Sequence, residues 1–309
     1  MPELPEVESV VRSLRPLLLG RRIVALNFPA ERRAGEWPAT LRRLLDAPPQ
    51  RMRDQVAGLR IGEVERFGKN ILIRLEAASD HPADAARRPS LLVHLGMTGR
   101  LTAESSAVPH SRHTHLIFEL DRVSGGRPSW LHFADIRRFG RVRVSEGDAE
   151  TPAGLGPEPL EIGEAEFIAR LRARKAKVKA VLLDQAFVRG LGNIYADESL
   201  FRAGIYPAKI AARIRTQQAS ALRLSIRCVL QEAITAGGSS ISDYVDGQGR
   251  QGWFQIHHRV YQRTGEPCQQ CKTAIRRIIV AGRSTHFCPH CQPGRPEGRM
   301  PKARGKGKG

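Results

Sequence analysis

The sequence has no long hydrophobic run and no basic, apolar leader at its N-terminus. No stretch approaches the roughly 18 consecutive apolar residues of a membrane-spanning helix, so we expect no such helix. The opening stretch MPELPEVES carries three glutamates and no basic segment, which excludes a secretory signal peptide and predicts a cytoplasmic protein. Disulfides are disfavoured in the cytoplasm, so the five cysteines need a different explanation.

Acidic residues are also scarce. Lys and Arg total 50 while Asp and Glu total 31, so the formal net charge of the 309 residues is +19. This excess excludes a typical enzyme for small neutral metabolites and favours a polyanionic partner, with nucleic acid ahead of a membrane surface. A hydrophobic fraction of 41% indicates a globular chain. The length predicts about two domains and a core that needs no disulfides.

The first half of the chain combines one helix with several strands. Apolar residues recur at three- and four-residue steps from Glu3 to about Leu19, which predicts a helix that Gly20 ends. The polar stretch 77–90 predicts a surface loop. Many short strands after one helix favour a β-sandwich or a barrel. The runs that predict strands are 23–26, 71–75, 91–95, 115–120 and 141–144.

The second half of the chain is predominantly helical. A Pro- and Gly-rich stretch at 151–160 predicts a domain boundary. Helical periodicity then predicts one or two helices at 164–184 and further helices at 194–203 and 216–236. Residues 237–252 are rich in Gly and Ser and predict a long loop, and loops of this length inside a compact domain are usually functional.

Four of the five cysteines form two CxxC pairs, Cys268 with Cys271 and Cys288 with Cys291. Four thiolates with this spacing suit tetrahedral Zn²⁺ in a closed structural site. The region is rich in Lys and Arg, which suits a hairpin that grips phosphates, although a zinc ribbon with a solvated face would use the same ligands. The remaining Cys228 lies among apolar residues, so we interpret it as a core residue.

A strongly basic region precedes a glycine-rich turn. Seven Lys and Arg and a single acid lie between residues 170 and 189, and Gly190-Leu191-Gly192-Asn193 then opens a predicted helix. A helix N-terminus offers free N–H groups and the positive end of the helix dipole, which suits a phosphate. An ordinary helix–helix connection with Asn193 as its N-cap explains the same residues.

The N-terminus offers a candidate nucleophile. A small second residue generally allows removal of Met1, which would leave Pro2 with a free secondary amine. Such an amine titrates below lysine, and in its neutral form it can attack a sugar aldehyde carbon and form an iminium. Glu3 and Glu6 stand beside it for acid–base chemistry. A proline in the first turn of a helix, with acids at the positive end, accounts equally well for the pattern alone.

Several motifs together carry a resemblance to a known family. The opening, Met1-Pro2-Glu3-Leu4-Pro5-Glu6-Val7-Glu8, resembles that of the bacterial formamidopyrimidine-DNA glycosylases, the base-excision-repair enzymes that remove 8-oxoguanine. Further stretches are similar to family motifs, in family order, from residue 1 to about 291. They are 66–69, 94–99, 135–140, 155–160, 190–198 and the four-Cys finger.

The resemblance implies an α+β protein of several domains. A helix and a β-sandwich would form the catalytic domain (1–150), followed by a helix-two-turn-helix domain (151–256) and a zinc finger (257–292). The basic tail at 293–309, which we expect to be disordered, and the 77–90 loop stand outside the resemblance. It also implies one structural Zn²⁺ and damaged double-stranded DNA as the partner of a monomer associated with the nucleoid.

The resemblance also assigns catalytic residues. Pro2 would attack C1′ of the damaged nucleotide, and Glu3 would protonate the sugar ring oxygen. Glu6 would support the site from one turn along the helix. Lys69, on a β-hairpin, would reach the phosphate and the leaving groups, and Arg283, on the zinc hairpin, would assist the final elimination.

DNA-contacting residues follow from the same motifs. Met97, Arg137 and Phe139 would fill the gap left by the flipped-out base, and Arg137 would pair with the orphaned cytosine. The chain has Ile136 where the family commonly has Pro, and the 237–252 loop would close over the base and read the O6 of a purine through its backbone amides. The remaining expected DNA contacts are His113, Arg174, Lys175 and Asn193.

Three functions remain to be compared. The first is a bifunctional glycosylase and lyase for oxidised purines that cleaves by β,δ-elimination, which Leu4 and the set of Met97, Arg137 and Phe139 favour. The second is an oxidised-pyrimidine glycosylase of the endonuclease VIII type. The third is a non-catalytic zinc-ribbon protein that binds nucleic acid by charge, which leaves the presence of Pro2 with Lys69 unexplained.

Overall fold

A computed structural model describes residues 1–31, 37–77, 89–109, 111–123, 125–145, 154–240 and 244–294. The predicted 77–90 loop and the basic tail at 293–309 lie almost entirely outside these residues. No described helix combines the length and the apolar character that crossing a membrane requires.

The chain divides into two compact units. The first contains Met1–Ile162, Asp184–Gly192 and Ile226–His258. The second contains Gly163–Leu183, Asn193–Ser225 and the described part of Arg259–Gly309.

Helix α1 (Leu4–Leu18) begins the first unit, within a residue of the predicted bounds. Glu3 is its N-cap, and a capping box forms because the Glu6 carboxylate accepts a hydrogen bond of 2.8 Å from the Glu3 N–H. The apolar stripe that predicted the helix is fully buried. Two short helices that the sequence patterns did not predict follow, α2 (Ala39–Arg42) and α3 (Pro49–Val56).

Two antiparallel four-stranded sheets form a β-sandwich, as predicted, with strand orders β1-β6-β7-β5 and β2-β3-β4-β8. Buried residues of both sheets and of α1 belong to one hydrophobic core. The five predicted strands are confirmed, and β2, β5 and β7 are additional. The strands are β1 (Ile23–Asn27), β2 (Arg60–Phe67), β3 (Asn70–Glu76), β4 (Ser90–His94), β5 (Gly99–Glu104), β6 (Thr114–Leu120), β7 (Trp130–Asp135) and β8 (Arg141–Ser145).

The second unit is built from helices and one hairpin. The predicted helical region 164–184 forms two helices, α4 (Glu164–Arg172) and α5 (Val178–Leu183). The next helix is α6 (Asn193–Arg202), and residues of α7 (Thr216–Thr235) are shared between the units. Strands β9 (Arg276–Val280) and β10 (Arg283–Phe287) form an antiparallel hairpin.

The interpretation of Cys228 as a core residue is wrong, because its side chain is exposed on α7. Leu224, one turn earlier on the same helix, is also exposed. The two residues therefore share a solvent-facing side of α7, and neighbouring apolar letters in the sequence did not indicate burial.

Candidate active site

The two acids at the start of α1 are buried. Glu3 is 3% exposed and Glu6 is 2% exposed, and Pro2 beside them is buried as well. One carboxylate oxygen of Glu6 accepts the Glu3 N–H, and the other accepts the Ser239 N–H at 2.7 Å. Buried carboxylates with this many defined partners are held in a fixed position. Glu6 thus connects the helix start to the loop after α7.

The same loop is fixed at a second point. The Tyr244 hydroxyl donates a 3.0 Å hydrogen bond to the backbone carbonyl of Glu6. Burial, together with the nearby Glu6 carboxylate, raises the pKa of Tyr244, so the phenol stays protonated and remains a donor. Residues 241–243 of the predicted 237–252 loop lie outside the described residues. The described loop residues on either side of them are anchored to α1.

Glycines allow other segments to approach these acids closely. A Cβ atom at Gly192 would lie 2.3 Å from the Glu3 carboxyl carbon, and one at Gly238 would lie 3.0 Å from a Glu6 carboxylate oxygen. The Leu4 N–H donates to the Gly190 carbonyl at 3.0 Å. The glycine-rich turn therefore packs directly against the start of α1. Glycines are required in the turn because a larger side chain would collide with the helix start.

Lys69 lies in the two-residue turn that joins β2 to β3, on the hairpin that the resemblance implied. Its side chain is largely buried. His94, which the sequence analysis did not assign, lies beside this turn. Burial lowers the pKa of His94, and the charges of Lys69, Arg141 and Arg143 lower it further. A hydrogen bond with the Lys69 backbone raises the pKa but does not outweigh these effects. We therefore expect a neutral imidazole at pH 7. The sequence feature that could have indicated His94 as a site residue is its position as the first residue of the 94–99 motif.

Ion pairs hold the Lys69 hairpin in place. Arg66, on β2, bridges Glu8 of α1 at 2.9 Å and Glu158 at 2.9 Å, and Arg189 also reaches Glu158 at 3.3 Å. The Arg189 guanidinium lies over the Phe67 ring, 4.2 Å from its centroid. Burial opposes ionisation of Glu8, but hydrogen bonds and charges from its arginine partners outweigh it and lower the pKa of Glu8.

The three predicted wedge residues, Met97, Arg137 and Phe139, are exposed and do not belong to the core. Met97 is 38% exposed, Phe139 is 48% exposed, and the Arg137 guanidinium lies 4.7 Å from the Phe139 ring centroid. Asp135 organises their loop, since its carboxylate accepts the Gly140 N–H at 2.7 Å. The Arg137 N–H also donates to the Thr98 hydroxyl at 3.0 Å. The two loops that carry the wedge residues are therefore in contact.

In the second unit, a buried network surrounds the carbonyl of Ser284. The Lys179 ammonium donates to this carbonyl at 2.8 Å, and the Asn193 side-chain amide donates to it at 3.0 Å. Lys179 also pairs with Asp197 at 2.7 Å, and both side chains are 0% exposed. The carboxylate of Asp197 accepts the His286 N–H at 2.9 Å. The network joins α5 and α6 to β10, the strand that begins with Arg283.

Loss of one member of this buried pair is expected to destabilise the protein. Lys179→Met leaves the Asp197 carboxylate buried without its cation, so we expect the free energy of unfolding to fall by about 3–5 kcal/mol. Chemical denaturation measures this change. Lys177→Met is the matched control, because Lys177 is exposed two residues away, and we expect a change within about 0.5 kcal/mol. Equal stability of the two variants would contradict the buried ion pair.

The four predicted ligands form a candidate zinc centre. One ligand atom each from Cys268, Cys271, Cys288 and Cys291 lies within 4.8 Å of the others. The thiols of Cys268 and Cys288 are buried and those of the other two are half-buried. Four sulfur donors in this arrangement fit one tetrahedral Zn²⁺ in a structural role. This geometry confirms the predicted metal-binding set.

The remaining predicted residues are divided between the units. In the second unit, Arg174 is half-buried and Lys175 is exposed in the segment between α4 and α5, and Arg283 is exposed at the start of β10. In the first unit, His113 is half-buried next to β6. The first unit holds Pro2, Glu3, Glu6, Lys69, Met97, His113, Arg137 and Phe139, and the second holds Arg174, Lys175, Asn193, Arg283 and the four cysteines.

Three family models match the chain. The formamidopyrimidine-DNA glycosylase N-terminal domain matches residues 1–142, the formamidopyrimidine-DNA glycosylase H2TH domain matches residues 155–245, and a zinc finger found in FPG and IleRS matches residues 265–294.

Curated relatives agree with these matches over nearly the whole chain. A formamidopyrimidine-DNA glycosylase of Solibacter usitatus is 49% identical over 292 residues, which covers 94% of this chain and 99% of the relative. The protein of the same name from Chloroflexus aggregans is 44% identical over 296 residues, with 94% and 98% covered.

Solved structures show the same similarity. The wild-type Lactococcus lactis Fpg (MutM) in complex with N7-benzyl-Fapy-dG-containing DNA has a TM-score of 0.80 at 33% identity, covering 95% of this chain and 100% of that one. MutM in complex with carbocyclic 8-oxo-G-containing DNA has a TM-score of 0.79 at 33% identity, with the same coverage.

Proposed function

Because the chain belongs to the formamidopyrimidine-DNA glycosylase family, we propose that it excises oxidised purines from damaged double-stranded DNA and then cleaves the strand at the abasic site. It is an enzyme of base-excision repair, with a zinc finger that holds one Zn²⁺. The observation that carries the proposed chemistry is the buried pair of carboxylates, Glu3 and Glu6, directly beside Pro2. We further propose that it acts as a monomer at the nucleoid, where its substrate is found.

The reaction begins at Pro2 once Met1 is removed. The neutral amine forms a bond to C1′ as the bond from C1′ to the base nitrogen breaks, and the base leaves with a proton. Glu3 donates a proton to the sugar ring oxygen, so the ring opens and an iminium remains on C1′. The iminium withdraws electrons from the sugar, so loss of a C2′ proton expels the 3′ phosphate and loss of the C4′ proton then expels the 5′ phosphate. Water finally hydrolyses the iminium and frees the amine.

Other residues of the first unit prepare this step. Glu6 orients Glu3 and the loop after α7 through the hydrogen bonds of its two carboxylate oxygens. Lys69, in its hairpin turn, is assigned to the phosphate at the lesion. The hydrogen bonds of Glu6 are made within the folded chain, so this part of the site needs no rearrangement before substrate binds.

Opening the duplex requires groups that replace the extruded base. Flipping one nucleotide costs a few kcal/mol, which side chains inserted into the stack offset. Met97 and Phe139 have the apolar and aromatic surfaces for this role, and both are exposed on contacting loops. Arg137 is assigned to the orphaned cytosine. In the second unit, Asn193, Arg174, Lys175 and Arg283 are assigned to phosphates, as is His113 in the first.

The relatives and structural neighbours favour a purine enzyme over one of the endonuclease VIII type. The binding-only alternative leaves the two buried carboxylates with a helix-capping role alone and gives Pro2 and Lys69 no chemical role.

Borohydride trapping tests the proposed function. Borohydride reduces the iminium and leaves a stable covalent adduct between protein and DNA. We expect an adduct mainly with 8-oxoguanine opposite cytosine, compared with thymine glycol opposite adenine and with undamaged duplex. An adduct mainly with thymine glycol would assign the enzyme to the pyrimidine branch. Binding without any adduct would contradict the catalytic function.

A further inference from the structure

A cavity of about 280 Å³ opens beside the Lys69 hairpin, within the first unit. Its lining includes Lys69, His94, Arg141 and Arg143, and no acidic side chain is among the described residues that line it. Leu92 and Leu155 add an apolar surface. Three cations and an imidazole around a partly apolar cavity are the surroundings that a phosphate with its attached sugar requires.

The strand register explains why these side chains converge. His94 on β4 pairs with Arg141 on β8, and Leu92 pairs with Arg143. Directly opposite residues of neighbouring strands project to the same face of a sheet, and consecutive residues project to opposite faces. Val142 is buried in the core, whereas the two arginines that flank it are exposed. Both arginines therefore lie on the outer face of the sheet together with His94.

The row of polar groups begins next to Lys69. Asn70 follows Lys69 in the chain and pairs with His94, and its side-chain oxygen accepts a 3.1 Å hydrogen bond from the His94 Nδ1–H. From Asn70 across β4 to Arg141 is two inter-strand steps, a span of roughly 10 Å. The row is long enough for more than one phosphate, so contacts at Arg141 are separate from those at Lys69.

The two arginines differ in their surroundings. Arg143 interacts with the carboxyl group of Asp46, whose pKa is raised by burial and lowered in part by the charge of Arg143. Arg141 donates a hydrogen bond of 2.9 Å from its guanidinium to the neighbouring Gly140 carbonyl. The charge of Arg141 is therefore the less compensated of the two, and we expect it to make the larger contribution to anion binding.

We propose that this cavity is an additional phosphate subsite for the DNA strand, in which Arg141 and Arg143 bind the phosphate next to the one assigned to Lys69 and the two leucines contact its sugar. The proposal rests on the proposed function, because the assignment of Lys69 to a phosphate is what brings the DNA backbone to the cavity. A volume at the lower end of ligand pockets suits a phosphate and its sugar.

The dissociation constant for a duplex with a non-cleavable abasic analogue tests the subsite. We expect Arg141→Gln to weaken binding about tenfold at low salt, the effect of one lost charge-assisted hydrogen bond. The slope of log Kd against log salt concentration should fall by about 0.9 for each lost phosphate contact. Arg143→Gln should act in the same direction with a smaller effect.

Arg60→Gln is the matched control. Arg60 is an exposed arginine of the same sheet, but it lies on the opposite edge strand, β2, at the end remote from the Lys69 turn. Arg60→Gln removes the same formal charge as Arg141→Gln, so an effect of net charge alone would change the salt slope equally in both variants. Equal salt slopes for the Arg60 and Arg141 variants would overturn the proposal.

A second experiment distinguishes the DNA strand from a free nucleotide as the source of the phosphate that the cavity binds. Calorimetric titration of the intact protein with dAMP measures binding of the free nucleotide. If Arg141→Gln abolished dAMP binding and left the DNA salt slope unchanged, the cavity would be a nucleotide site and the proposal would be wrong. Because these assays need no catalysis, a failure of borohydride trapping in the unmodified protein would affect only the proposed function.

Discussion

Protein molecules that keep Met1 are expected to form no covalent adduct with damaged DNA, whereas those that begin at Pro2 form it readily. With Met1 present, the Pro2 nitrogen is part of an amide and has no lone pair available for attack on C1′. A chain with a tag in front of Met1 should lose excision by at least about 10³-fold, because its nucleophile is removed. Single-turnover excision of 8-oxoguanine measures the loss.

The matched control carries the same tag at the C-terminus and should retain full activity. Intact-mass measurement gives the fraction of molecules that begin at Pro2, and the plateau of borohydride-trapped adduct should equal that fraction. DNA binding should be similar for both tagged forms. Equal excision rates for the two forms would show that the nucleophile lies elsewhere in the chain.

Gly192→Ala is expected to lower the rate of excision by about 10²–10⁴-fold, the range associated with a lost general acid. The added Cβ would lie 2.3 Å from the Glu3 carboxyl carbon and 2.4 Å from one of its oxygens, so the carboxyl group must move. The affinity for DNA should change little, because Glu3 is a buried group assigned to proton transfer. Single-turnover rates and dissociation constants separate the two effects.

Two further variants control this experiment. Gly163→Ala adds a Cβ that meets nothing within 4 Å, at a residue whose backbone is already suited to alanine, so it should leave the rate unchanged. Glu3→Gln should lose as much activity as Gly192→Ala, and the double variant should lose no more than either single variant, since both act on the same group. Additive losses would show that Gly192 affects activity by another route.

The sequence predicted α1 and five strands because their apolar residues follow regular periods. Strand β2 was missed for a physical reason. A register irregularity between Ile61 and Glu63 interrupts its pairing with β3, so the buried Ile61 and Val64 are three residues apart and the two-residue alternation is broken. A local pattern search cannot detect a strand whose alternation is reset in this way.

In the candidate site, too, some features could be predicted from local sequence patterns and others could not. The CxxC spacing was sufficient to predict the metal-binding set, because a tetrahedral metal site imposes that spacing. The environment of Lys179 was not predictable, since its partner Asp197 lies 18 residues further along the chain and on a different helix. Lys179 was counted with the basic residues that suit a phosphate, yet it is fully buried in an ion pair. The proximity of His94 to Lys69 likewise depends on strand register.

Peptide mapping of the borohydride-trapped complex is the most direct test of the central claim, that the amine of Pro2 attacks the damaged nucleotide. After nuclease and trypsin digestion, the remnant of the sugar should be found on the N-terminal peptide 2–12, attached to Pro2. A remnant on a peptide that contains Lys69 or any other lysine, with Pro2 unmodified, would contradict the account.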